Sequence, residues 1–182
     1  MCYRKIALTP FHLLLTASPG TGKTTVIRRL AERLADVRIA GFYTAEIRAR
    51  GERRGFRLVA YDASKALIAH VELPKTHRVG KYGVDVAAID RAADATLGPQ
   101  AGVTLYLVDE IGKMECLSAR FVAHMRRILD GRVPLIATVA SRGIGFIAEV
   151  KRRDDCELWT LTRANRDEMP ERLLVRVHAA AR

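Results

Sequence analysis

The chain has 182 residues, 49% of them hydrophobic, with three cysteines and a formal net charge of +11. That length suits one domain with a sizeable core, so a single domain over residues 1–182 is expected. The scattered Cys2, Cys116 and Cys156 exclude a disulfide framework or cysteine-rich zinc site, no apolar run is long enough to cross a bilayer, and the charge favours anionic partners.

Arg4 and Lys5 precede an apolar run too short for a secretion signal, which predicts a soluble, cytoplasmic protein. That run, Leu13-Leu14-Leu15, reads as a buried strand. It leads into Ala17-Ser18-Pro19-Gly20-Thr21-Gly22-Lys23-Thr24-Thr25 and a helical pattern, the strand–loop–helix order of a phosphate-binding P-loop. Gly20 and Gly22 allow backbone angles that a Cβ blocks, and Pro19 stiffens the turn. The helix N-terminus offers free N–H groups to phosphates. Lys23 adds charge for the β- and γ-phosphates, and the Thr24 hydroxyl is placed to ligate Mg²⁺. Ala17 stands where the first glycine is usual, a substitution that a negative φ accommodates.

Val26, Ile27, Leu30, Ala31 and Leu34 recur at helical spacing, with Arg28, Arg29, Glu32 and Arg33 facing away. Residues 38–47 read as a strand, and 39–62 as a hairpin whose tip region carries Arg48, Arg50, Arg53, Arg54 and Arg57. No aromatic residue interleaves the tip, so a solvated hairpin is expected, with RNA or an acidic partner as the alternative. A further strand is predicted over 66–73. After the glycine-bearing segment 79–85, Asp85 N-caps a helix with Ile89, Ala92, Ala93 and Leu97, closed by Gly98-Pro99. Residues 103–108 form an apolar run of the kind buried on both faces of a parallel sheet, ending in Asp109-Glu110. A helix through Phe121, Val122, Met125, Ile128 and Leu129 stops at Gly131. Then come a strand at 135–139, an amphipathic stretch at 146–153, a strand at 156–162, Asn165-Arg166-Asp167, and a helix from about Pro170.

Alternating strands and helices predict an α/β, three-layer P-loop NTPase fold with a mainly parallel sheet and the hairpin as an antiparallel addition at the edge. Ligands of such sheets bind at the carboxyl ends of the strands, so the P-loop, Asp109, Thr138 and Asn165 are expected on one rim.

Leu105-Tyr106-Leu107-Val108-Asp109-Glu110 fits a Walker B strand, with Asp109 orienting the water shell of Mg²⁺ beside Thr24. Glu110 favours hydrolysis over transfer, because a carboxylate directly after the metal aspartate suits activation of an attacking water. Lys23 and Glu110 are therefore the candidate catalytic residues.

The ordered segments Ala-Ser-Pro-Gly-Thr-Gly-Lys-Thr-Thr, Gly-Phe-Tyr-Thr-Ala-Glu (41–46), Val-Gly-Lys-Tyr-Gly-Val-Asp (79–85), Val-Asp-Glu-Ile-Gly-Lys-Met-Glu (108–115) and Asn-Arg-Asp (165–167) make the chain resemble the cancer-related nucleoside-triphosphatase family over nearly its whole length. The resemblance implies Mg²⁺-dependent hydrolysis of ATP, GTP, CTP and UTP to the diphosphate, with loose base selectivity. It implies phosphate binding by Ala17, Ser18, Pro19, Gly20, Thr21, Gly22, Lys23 and Thr24, with Thr25 beside them. It also implies a second nucleotide-contacting segment of Leu105, Tyr106, Leu107, Val108, Asp109, Glu110, Ile111 and Gly112.

Several roles stay open at this level. Lys113 either supplies charge to the γ-phosphate or pairs with Glu115 on the surface. Thr138 or Ser141 senses the γ-phosphate, and Arg142 or Arg166 acts as an arginine finger. Asn165 and Arg166 meet the base or ribose, Arg166 by stacking, unless Asn165 or Asp167 merely caps the last helix. The five histidines form no cluster and are read as structural. Two other functions compete with hydrolysis: a small-molecule or nucleotide kinase, and a nucleotide-switched RNA-binding protein, which the charge permits but no motif supports. Nothing in the sequence speaks to oligomeric state.

Overall fold

The computed structural model describes residues 8–181, so Cys2, Arg4 and Lys5 lie outside the described residues. The elements run β1 (His12–Ala17), α1 (Lys23–Arg33), β2 (Ile39–Ala49), β3 (Glu52–Ala60), β4 (Lys65–His70), β5 (Arg78–Val79), β6 (Tyr82–Val84), α2 (Val86–Leu97), β7 (Leu105–Ile111), α3 (Ala119–Leu129), β8 (Leu135–Ala140), α4 (Phe146–Val150), β9 (Cys156–Thr160) and α5 (Met169–Ala179). A short 3₁₀ turn, Glu115–Leu117, links β7 to α3.

All nine strands join one sheet, in the order β5-β6-β4-β3-β2-β7-β8-β1-β9. The block β2-β7-β8-β1-β9 is parallel. β3, β4, β6 and β5 extend it antiparallel on one side. The expected hairpin is thus the root of a larger addition: β2 belongs to the parallel block, and three more strands lie beyond β3. Its tight turn places both Arg50 and Gly51 at positive φ (50° and 80°), the two-residue geometry that matches strand twist.

The core lies in two layers, one on each face of the sheet. On one face Leu14, Phe42, Tyr106 and Val108 pack with Ile89 of α2, Phe121 and Met125 of α3, and Ile147 of α4. On the other, Leu13, Leu15, Leu105, Leu107 and Ile136 pack with Val26, Ile27 and Leu30 of α1 and Leu173 and Val177 of α5. The strict alternation of Leu13, Leu14 and Leu15 between these layers explains why β1 reads as an unbroken apolar run. Asp85 caps α2 as expected, its carboxylate accepting from the Ala88 N–H at 2.8 Å. No helix among the described residues is long and apolar enough to cross a membrane.

Candidate functional site

β1 ends at Ala17, whose φ is not positive, so the alanine needs none of the freedom of the glycine it replaces. The turn that follows does need it: Gly20 and Gly22 stand at φ 75° and 110°, and Gly22 is the N-cap of α1. Thr21 folds back inside the loop, its hydroxyl donating to the Ser18 carbonyl at 2.8 Å. No side chain caps α1, so its first N–H groups face the loop's interior unclaimed. Thr25 is exposed.

At the carboxyl end of the adjoining strands, Asp109 is buried with both carboxylate oxygens claimed. Thr24 Oγ1 donates to Oδ2 at 2.5 Å and Thr138 Oγ1 to Oδ1 at 2.6 Å. Burial pushes the Asp109 carboxyl above its ordinary range, while the Thr138 and Thr24 hydroxyls and the Lys23 ammonium pull it back. Thr44 Oγ1 donates to the Asp109 carbonyl at 2.8 Å, and Gly41 lies so close to β7 that an added Cβ would meet the Leu107 carbonyl oxygen at 2.0 Å. Through those contacts the 41–46 segment clamps the end of β7. The Asp109–Glu110 peptide is cis.

Lys23 Nζ stands 3.5 Å from Glu110 Oε2, with Lys23 well shielded and Glu110 about a third exposed. Burial raises the Glu110 carboxyl, Lys23 opposes that rise and Asp109 adds to it. The carboxylate of Asp109 and hydroxyl of Thr24 are adjacent hard oxygen donors. Such a pair fits a small divalent cation that keeps most of its waters.

The structure redistributes several other sequence-predicted residues. Leu105, Tyr106, Leu107, Val108 and Ile111 are enclosed in the sheet and Gly112 is buried, so within 105–112 only Glu110 is open to solvent. The apolar part of that segment positions Asp109 rather than presenting itself to a ligand. Thr138 is fully buried on Asp109 and cannot reach out to a phosphate. Lys113 is exposed, whereas Glu115 turns inward, so their expected pair does not form. Burial pushes the Glu115 carboxyl up to about 8. Arg142 is exposed, and Arg166 sits beside Asp167 at 3.7 Å.

Asn165 does not cap α5 with its side chain. Its Oδ1 accepts from the Thr162 N–H at 2.8 Å and its Nδ2 donates to the Thr160 carbonyl at 3.0 Å, locking the loop after β9. That loop forms one wall of a cleft of about 530 Å³ whose other walls are the P-loop residues Ala17, Ser18 and Thr21, and Ser141 with Lys151. The arginine lining the cleft is Arg163, three residues before Arg166. Thr44, Lys151 and Arg163 are thus the site residues that the sequence did not single out. The segment 79–85 lies at the far edge of the sheet, where Tyr82 Oη accepts from Arg53 Nε at 3.1 Å. Its role there is structural.

Comparison with known proteins places the chain among nucleoside-triphosphatases. A family model described as NTPase matches residues 12–174. The chain is 37% identical over 163 residues to the nucleoside-triphosphatase THEP1 of Thermotoga petrophila, covering 89% of this chain and 90% of that one. It is 33% identical to the human cancer-related nucleoside-triphosphatase, covering 87% and 92% respectively. The crystal structure of THEP1 from Aquifex aeolicus superposes with a TM-score of 0.84 at 31% identity, over 92% of this chain and 99% of that one.

Proposed function

The chain belongs to the NTPase family of nucleoside-triphosphatases, and on that premise we propose that it hydrolyses ATP, GTP, CTP and UTP to the diphosphate and phosphate, with Mg²⁺ and loose base selectivity. The observation that carries this reading is the convergence of Thr24, Asp109 and Thr138 within hydrogen-bond distance while Glu110 faces Lys23.

The P-loop N–H groups and Lys23 hold the triphosphate, and Thr24 with Asp109 holds the hydrated cation. Mg²⁺ bound there neutralises charge on the β- and γ-phosphates. An arriving γ-phosphate competes with Glu110 for Lys23, releasing the carboxylate toward solvent. Glu110 then takes a proton from a water as that water's oxygen bonds to the γ-phosphorus. The bond from that phosphorus to the bridging oxygen breaks, and its electron pair leaves with the nucleoside diphosphate.

The cleft beside the P-loop accounts for loose selectivity. The Arg163 guanidinium and the exposed Leu158 side chain offer planar and apolar surfaces, and any base has a π-face to lay on them. Phosphate release from each of the four triphosphates, with Mg²⁺ and with chelator, tests the proposal. Comparable release from all four that chelator abolishes supports it, and nucleoside diphosphate formed only when an acceptor alcohol is added, without free phosphate, points to a kinase.

A further inference from the structure

Two cations, Lys151 and Arg163, line the cleft beside the P-loop. Lys151 is the C-cap of α4, a helix anchored by the buried Phe146, Ile147 and Val150. Its ammonium donates to the Ser141 carbonyl at 2.8 Å, just past the end of β8, and it lines the same cavity as Ala17 and Ser18. Among the described residues no carboxylate lies within ion-pair distance of it. Its one hydrogen bond is to a neutral carbonyl, which leaves donors and a full charge unspent.

We propose that Lys151, from the wall of the cleft beside the P-loop, contacts the transferred phosphoryl group and stabilises the charge that develops on it. This rests on the hydrolase reading above. Lys23 stands 3.5 Å from Glu110, and Ser141, whose carbonyl holds Lys151, directly follows β8, the strand between β7 with Glu110 and β1 with the P-loop. Glu110 and Lys151 also act on one another electrostatically, Glu110 favouring the ammonium and Lys151 the carboxylate. Lys151 shares its cleft with the P-loop residues Ala17, Ser18 and Thr21, so a triphosphate held by that loop brings its terminal phosphoryl group within reach of Lys151 as well as Lys23. Arg163 reaches the same cleft from the loop beyond β9, on the far side of β1 from β7 and Glu110, so it belongs with the base rather than the phosphoryl group. Lys151 forms no bond and keeps its proton throughout. It exchanges the Ser141 carbonyl for equatorial phosphoryl oxygens as negative charge spreads over them. The other candidates are worse placed: Lys113 and Arg142 point to solvent, and Arg166 faces Asp167.

The experiment compares wild type, Lys151→Met and Lys151→Arg. It measures kcat and KM for ATP with Mg²⁺, Kd for a non-hydrolysable ATP analogue, and Kd for ADP with aluminium fluoride as mimic of the transferring group. We expect Lys151→Met to lower kcat by roughly a hundredfold or more. Affinity for the aluminium fluoride complex should fall in parallel, while affinity for the ATP analogue stays within about threefold. Lys151→Arg should recover most of the lost turnover. A thermal melt accompanies each variant, and if Lys151→Met is unfolded then Lys151→Gln is read by the same ratio of affinities. Unchanged kcat in an active background overturns the proposal alone. Equal loss of affinity for both ligands also overturns it, since that is uniform binding. Wild type that releases no phosphate from ATP overturns the hydrolase reading itself.

Discussion

Thr138 donates its hydroxyl to Asp109 at 2.6 Å from a neighbouring strand, at a point where both residues are buried. β8 carries Thr138 between the P-loop strand β1 and strand β7, so this bond ties Asp109 to the strand that separates it from the P-loop strand. Thr24 occupies the other oxygen, and Asp109 cannot rotate without breaking one bond or the other. Thr138→Val keeps the volume and removes the donor. It should cost about 1–3 kcal/mol of stability, the usual penalty for stranding a buried acceptor. It should also raise the Mg²⁺ concentration needed for half-maximal phosphate release. A metal titration beside a thermal melt checks both, and an unchanged titration midpoint would separate Thr138 from the metal site.

Lys23 acts on ground and transition states alike, so Lys23→Ala should lower triphosphate affinity and turnover together. Isothermal titration with a non-hydrolysable analogue and a steady-state assay measure the two separately. Normal values in both would remove the P-loop from the mechanism.

Much of this site was legible because its chemistry is local. Residues 18–22 turn between β1 and α1 by their own glycines, and Asp109-Glu110 ends an apolar run too regular to be anything but a buried strand. The order of the large elements followed for the same reason. The two- and three-residue strands β5 and β6 were not legible, since neither is long enough to show alternation. Lys151 and Arg163 escaped because nothing near them in sequence marks them. They reach the cleft only through the packing of α4 and the loop that Asn165 locks. Asn165 itself lies in the loop after the last strand, where its place in the sequence puts it, but its side chain is spent on that loop's backbone.

The base should therefore register at Arg163. Arg163→Ala should raise KM for ATP, GTP, CTP and UTP by similar factors, with a smaller effect on kcat, because a stacking contact grips every base alike. Arg166→Ala should change KM less. A KM increase confined to one base, or a larger effect at Arg166, would relocate the base contact.

Glu115 gives the fold a pH signature. Burial raises its carboxyl from 4.5 to about 8, so the folded chain holds a proton that the unfolded chain releases. Its contribution to stability is full below pH 4.5 and is lost as pH rises from there through about 8. Glu115→Gln cannot titrate, so its melting temperature should decline less than wild type between pH 5 and pH 8. Parallel melting curves for the two proteins across that range would contradict the buried, protonated carboxyl.

The proposed hydrolytic mechanism turns most of all on Glu110, which stands 3.5 Å from Lys23 and alone within 105–112 is open to solvent. The decisive measurement is kcat for ATP hydrolysis by Glu110→Gln, taken with its Mg²⁺-ATP affinity. If Glu110 activates the attacking water, kcat falls by roughly two to four orders of magnitude while affinity stays close to wild type. Near-normal turnover in that variant would contradict the hydrolytic mechanism proposed for this site.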